Sequence, residues 1–348
     1  MTAGPSVAVR SPADFAHPDG IAIRARGLTK RFGSIVALDG LDLDVPAGSI
    51  FGLLGPNGAG KTTTIRILTG LARQTAGEAT VAGIEIGLDR PELRRRLGYL
   101  DQDPRFYSWM HGRELLELVG RLDGLDGAEL RERVGAMLER TGLRAVADRR
   151  IGGYSGGTLQ RLGIAQALLH RPMIVFLDEP VSSLDPEGRR DVLELIAGLR
   201  GETTVIVSTH VLSDVERVCD RVAILDRGRL VTESALDRLL AEHVRPLYRL
   251  TPEPGQDGAV AALVGALRAT AWVTEVTSAP DGDLRIAVGD PDAAGASLLA
   301  AVVGAGVRLS AFERVRPTLE DVFLELVGSP AANELDGRGF VRPREVGQ

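Results

Sequence analysis

Apolar and polar residues alternate along the first patterned stretch of the chain. Ile21, Ile23 and Ala25 fall on one side of a predicted strand, and Leu41, Leu43 and Val45 repeat the period beyond an Asp39-Gly40 turn signal. A short apolar run, Ile50–Leu54, ends in a glycine-rich loop, as a buried parallel strand feeding a helix would. From about residue 104 to 153 the strand signals vanish. Leu115, Leu118, Val119 and Leu122, then Leu130, Val134, Met137 and Thr141, follow helical spacing and predict an insert of two or three helices. Strand signals return over 173–177, 205–208 and 222–225, with helical patterns between them. Alternating strands and helices predict an α/β fold with a largely parallel sheet and helices on both faces.

Near residue 245 the character changes, and Pro252, Pro254, Gly255 and Gly258 mark loose connections. The pattern predicts a strand over 248–250, a helix over 260–268, strands over 272–277 and 284–288, a helix over 293–303 and a strand over 307–312. This βαββαβ order predicts a small C-terminal α+β domain of ferredoxin-like type over 245–328. Its last helix starts at Thr318, with Asp321 as a capping-box variant. The larger domain spans 21–244. Residues 1–20 and 329–348 read as disordered tails.

Composition narrows the setting. The formal net charge of -6 argues against a nucleic-acid partner, since such surfaces are usually basic. A single cysteine, Cys219, leaves no internal disulfide and fits a reducing compartment. It lies in an apolar helical stretch and reads as a small core residue. No apolar run approaches the roughly 20 residues that span a bilayer, and the start has no signal-peptide pattern. The expectation is a soluble chain that reaches any membrane process through a partner.

Gly55-Pro56-Asn57-Gly58-Ala59-Gly60-Lys61-Thr62 fits the phosphate-loop pattern G-x-x-x-x-G-K-[ST]. Glycines let backbone N–H groups converge on phosphate oxygens, and the next helix adds its positive end. Lys61 is placed for the β- and γ-phosphates and Thr62 for Mg²⁺, with Thr63 beside it at the nucleotide. The apolar run 173–177 ends in Asp178 and Glu179. Acids there lie at the carboxyl end of a parallel strand, where such sheets bind ligands. Asp178 would hold the metal and Glu179 would polarise a water; the plainer reading is an acid pair capping a helix. Together the two motifs specify a P-loop NTPase. Tyr154-Ser155-Gly156-Gly157-Thr158 is either a second N–H-rich anion site or an N-capped helix start.

That segment, standing just before the acidic strand, resembles the ABC ATPase family over about residues 21–235. The resemblance implies a P-loop NTPase fold, ATP and Mg²⁺ as cofactors, and roles for further residues. Gln102 matches a glutamine that touches the metal or the water. Ser182-Ser183-Leu184-Asp185 resembles a loop that crosses to a second subunit, with Asp185 near the nucleotide. His210 matches a histidine that contacts the γ-phosphate, and Phe32 stands where an aromatic stacks on adenine. The family's signature usually begins with Leu and ends with Gln, where this chain has Tyr154 and Thr158. Ser155, Gly156 and Gly157, which would bind phosphate, are intact. Tyr-Ser-Gly-Gly, with a C-terminal domain ending in Thr318-Leu319-Glu320-Asp321-Val322-Phe323, resembles bacterial drug-resistance-type exporters.

The implied mechanism needs two copies. Each ATP lies between one copy's phosphate loop and the other's Ser155-Gly156-Gly157. The implied partners are a second copy and a multi-span permease on a separate chain, which would hold the protein at the cytoplasmic face of the cell membrane. Phe106, Tyr107, Trp109 and Met110 cluster in a chain with 4% aromatics. They read either as packing under the insert or as a docking groove for the permease. The alternatives to an exporter motor are a soluble ATPase acting on ribosomes or DNA and a non-hydrolysing regulator. One phosphate loop, no sustained heptads and an intact Lys61, Asp178, Glu179 and His210 disfavour both. Cargo would be chosen by the membrane chain.

Overall fold

The first alternating stretch folds into a β-hairpin, β1 (Ile21–Phe32) against β2 (Ile35–Pro46), with Ile23 opposite Val45 and Phe32 opposite Ile35. The structure is a computed structural model that describes residues 20–328 except 89, 183, 243–246, 280–281 and 316–317. Both expected tails lie outside these residues, apart from Gly20. The hairpin turn is at Gly33 (φ 57), not at Asp39-Gly40. Gly40 instead takes φ 69 inside β2, where the ladder slips between the Leu28–Leu41 and Lys30–Leu38 pairs. A left-handed glycine makes a bulge as readily as a turn.

The chain continues through β3 (Ile50–Leu54), α1 (Lys61–Leu68), β4 (Ala76–Val81), β5 (Ile84–Glu85), α2 (Pro91–Arg94) and β6 (Leu97–Leu100). Next come α3 (Gly112–Leu122), α4 (Gly127–Arg140), α5 (Gly156–Leu168), β7 (Ile174–Asp178), α6 (Pro186–Ala197), β8 (Thr204–Thr209), α7 (Leu212–Val218), β9 (Arg221–Asp226), β10 (Arg229–Ala235) and α8 (Leu236–Glu242). The chain divides into two units, 1–236 and 237–348.

The first unit holds two sheets, β2-β1-β4-β5 and β10-β9-β3-β8-β7-β6. In the second sheet, β3, β6, β7, β8 and β9 pair in parallel, and β10 closes one edge antiparallel. Every residue of β3, β7 and β8 is buried, because both faces of the sheet are covered. Ile23, Leu38, Phe51, Ile65 and Phe176 belong to one core around α1. The insert has its own core, where Leu116, Leu130, Val134 and Leu138 meet Leu162 of α5 and Leu169 just past its end. The buried line of α3 differs from the expected one. Leu122 is 78% exposed, while Leu115 and Leu116 are buried. A side chain at Gly120 would stand 2.4 Å from Leu130, so α3 packs against α4 along its Leu116-Gly120 line.

The second unit comprises most of α8, then β11 (Leu247–Pro252), α9 (Asp257–Arg268), β12 (Val273–Ser278), β13 (Leu284–Val288), α10 (Pro291–Gly304), β14 (Leu309–Val315) and α11 (Leu319–Val327). Its antiparallel sheet has the order β12-β13-β11-β14, the ferredoxin-like arrangement. Tyr248, Leu250, Leu263, Ile286 and Leu298 share its core. Thr318 caps α11, and its N–H donates to Asp321 at 2.9 Å.

Candidate functional site

The phosphate loop joins β3 to α1 and wraps the first turn of the helix. Gly55 (φ 153) and Gly60 (φ 105) have no room for a side chain: a Cβ would lie 2.3 Å from the Leu225 carbonyl in one case and 2.7 Å from Leu38 in the other. Thr64 donates to the Gly60 carbonyl at 2.8 Å, which closes the first helical turn. The N–H groups of Lys61, Thr62 and Thr63, ahead of it, are left for an anion, as at any helix start. Lys61 is buried, and its Nζ donates to the Gly55 carbonyl at 2.7 Å and the Pro56 carbonyl at 3.3 Å. Burial lowers the pKa of its ammonium, and the nearby Glu179 and Asp178 charges oppose that shift.

The carboxyl end of β7 supplies the acids. Asp178 is fully buried and accepts the Ser208 hydroxyl proton on Oδ1, while its Oδ2 has no hydrogen-bond partner. An unpartnered carboxylate oxygen beside a phosphate loop fits a hard divalent cation, which takes oxygen ligands. Glu179 has φ 49, uncommon for a non-glycine residue. Its N–H donates to the Ser208 carbonyl at 3.0 Å and to the Ser208 hydroxyl at 3.2 Å. Both Glu179 carboxylate oxygens lie 2.9 Å from Nδ1 of His210, and Lys61 Nζ stands 3.9 Å from Oε1. Adjacent strands β3, β7 and β8 thus gather Lys61, Asp178, Glu179 and His210. Ser208 joins them although its sequence position drew no attention; the available signal was a serine ending an apolar run.

The remaining predicted residues are more dispersed. Gln102 is exposed, just past β6, whose Leu100 pairs with Leu177 of β7. Ser182 donates to the Glu179 carbonyl at 2.9 Å. Asp185 caps α6, accepting the Gly188 N–H at 3.0 Å, and Ser183 lies outside the described residues. Phe32 is 54% exposed, so it is no core residue, and Lys30 Nζ stands 4.7 Å from its ring centre. Ser155 caps α5, which Gly156 and Gly157 open, and it accepts the Thr158 N–H at 3.3 Å. Among the described residues, no hydrogen bond joins Ser155, Gly156 or Gly157 to the phosphate loop or the acid pair.

Tyr154 has a structural use. Its hydroxyl donates to the Val146 carbonyl at 2.7 Å and ties the start of α5 to the insert. Tyr154→Phe is expected to lower stability by about 1 kcal/mol in urea unfolding, with ATP affinity unchanged. The aromatic cluster splits. Met110 is buried and Phe106 packs on the insert core, whereas Tyr107 and Trp109 are 60% and 66% exposed with ring centres 5.8 Å apart.

Comparison with known proteins agrees with this geometry. The ABC transporter family model matches residues 38–182, and the model for the C-terminal domain of DrrA1-3-like ATP-binding proteins matches residues 236–327. An uncharacterized ABC transporter ATP-binding protein of Bacillus subtilis is 40% identical over 86% of this chain and 97% of its own length. The chain belongs to the ABC transporter ATP-binding family. As an ABC ATPase it binds and hydrolyses ATP. The daunorubicin/doxorubicin resistance ATP-binding protein of Streptomyces peucetius is 36% identical over 89% of this chain and 93% of its own length. Among solved structures, an ATP-binding subunit of an ABC transporter superposes with a TM-score of 0.58 at 29% identity, covering 64% of this chain and 92% of that one. An ATP-binding cassette solved as a post-hydrolysis dimer with ADP and Pi gives 0.57 at 29% identity, covering 62% and 98%. ABC ATPases of this kind dimerise and work with membrane permeases. No helix among the described residues of this one is long and apolar enough to cross a membrane.

Proposed function

We propose that this ABC ATPase is the motor of an exporter of the drug-resistance type, driving a permease carried on a separate chain. One observation carries the reading: similarity to resistance ATP-binding proteins runs through both units, including the C-terminal domain. A Nod factor export ATP-binding protein of Rhizobium, 35% identical over 88% of this chain, supports the outward direction. The protein then sits at the cytoplasmic face of the cell membrane, held there by the permease. The larger domain, 21–244, does the chemistry, and the domain over 245–328 stabilises the dimer or the permease contact.

Two copies face each other. Gly55, Pro56, Asn57, Gly58, Ala59, Gly60, Lys61, Thr62 and Thr63 of one copy cradle the phosphates, with Phe32 stacked on the base. Ser155, Gly156 and Gly157 of the second copy close over the γ-phosphate, with Asp185 beside them. Among the described residues, no hydrogen bond joins these two groups within one copy, which fits a site completed by a partner. Asp178, Thr62 and Gln102 hold Mg²⁺, which supplies charge neutralisation at the phosphates. Glu179 takes a proton from the attacking water as the water oxygen bonds to the γ-phosphorus and the bond to the β-phosphate oxygen breaks. His210 holds the Glu179 carboxylate in place and, with Lys61, faces the charge that develops on the transferred group.

Tyr107 and Trp109 offer exposed aromatic surface beside the insert, of the kind enriched at interfaces. Trp109→Ala is expected to keep basal ATPase while losing most recruitment to membranes carrying the permease. Full recruitment of that variant, measured by flotation with permease vesicles, would count against docking there.

A further inference from the structure

One hydroxyl stands between the two acids of the site. Ser208 is fully buried at the register position opposite Asp178 on the neighbouring parallel strand. A serine hydroxyl has one proton to donate and two lone pairs to accept with. Here the proton goes to Asp178 Oδ1, and a lone pair receives the Glu179 N–H at 3.2 Å. The Ser208 carbonyl receives the same N–H at 3.0 Å. Two consequences follow. Asp178 is held with Oδ1 committed to the protein and Oδ2 without a hydrogen-bond partner, so a single oxygen is left for a ligand. The Glu179 backbone is pinned at φ 49, a conformation that costs energy in a residue with a side chain and needs support from its surroundings. From that backbone the Glu179 carboxylate reaches His210, itself only two residues beyond Ser208.

We infer that Ser208 is the positioning residue of the metal site: its hydroxyl orients Asp178 toward Mg²⁺ and fixes the turn that aims Glu179. The inference rests on the reading of Asp178 as the metal ligand. Partners that orient a metal's ligands typically account for about 10–100-fold in metal affinity, and that is the loss expected here.

The test measures Mg²⁺ affinity rather than turnover. A fluorescent ATP analogue is bound to the full chain across a MgCl₂ titration, and again in EDTA. Ser208→Ala is expected to need about 10–100-fold more Mg²⁺, with binding in EDTA unchanged. Ser208→Thr, which keeps the hydroxyl, restores the parent titration, and Ser208→Val, of the same shape without it, does not. The Thr and Val pair decides the matter if the Ala variant fails to fold. A parent-like titration for Ser208→Val, or a titration for Ser208→Thr as weak as that of the Val variant, overturns the inference. Asp178→Asn separates the two layers. If it too titrates like the parent, the assignment of the metal to Asp178 is what fails.

Discussion

Glu179→Gln is expected to lower steady-state ATP turnover by about 10²–10⁴-fold, the usual contribution of a positioned general base, while ATP still binds. The amide has the shape of the carboxylate, so the site keeps its packing. It has no basic oxygen to take the water proton. One of the two 2.9 Å contacts with His210 Nδ1 survives through the amide oxygen. The ATP-bound closed dimer, unable to hydrolyse, should then accumulate, and size-exclusion chromatography with Mg²⁺-ATP would show it as a doubled mass. Turnover within about ten-fold of the parent, less than a general base contributes, would remove Glu179 from this role.

Lys61→Met is expected to weaken ATP binding by about 10–100-fold, corresponding to one hydrogen bond to a charged group. The free protein should change little in stability, because two effects oppose. Removing a buried ammonium relieves the desolvation that already lowers its pKa. Removing its protons leaves the Gly55 carbonyl without its donor at 2.7 Å, while the Pro56 carbonyl keeps the Ala59 N–H at 3.1 Å. Thermal unfolding with and without ATP separates the two quantities. The parent should gain stability from the nucleotide and the variant should gain much less. Equal stabilisation of both by ATP would show that Lys61 does not bear on the phosphates.

Much of the chemistry was legible because it is local. The phosphate loop needs glycines where backbone must pass close to backbone, and Gly55 and Gly60 are the two positions with no space for a Cβ. The acid pair ends an apolar run, and the run is the buried strand β7. In the C-terminal part, period-2 and period-3.6 patterns alternate cleanly, and the βαββαβ order follows them. Strand β6, by contrast, is four residues long, and β4 has few large apolar residues, so neither leaves a period to detect. Asp39-Gly40 has the composition of a turn, but composition does not separate a turn from a bulge. The pairing of β2 with β1 decides between them.

The sequence by itself determined that this chain has a phosphate loop, an acid-ended core strand, a helical insert and a small α+β module, since each is written in spacings of a few residues. The tertiary structure alone decided which residues share the site. Asp178 and Ser208 are 30 positions apart, and Lys61 lies further still from Glu179, yet parallel pairing of adjacent strands brings them to one edge. It also decided that Met110 turns inward while Trp109 faces out, because burial depends on what the insert packs against rather than on residue type. Neither outcome has a local cause, which is why no local pattern contains it.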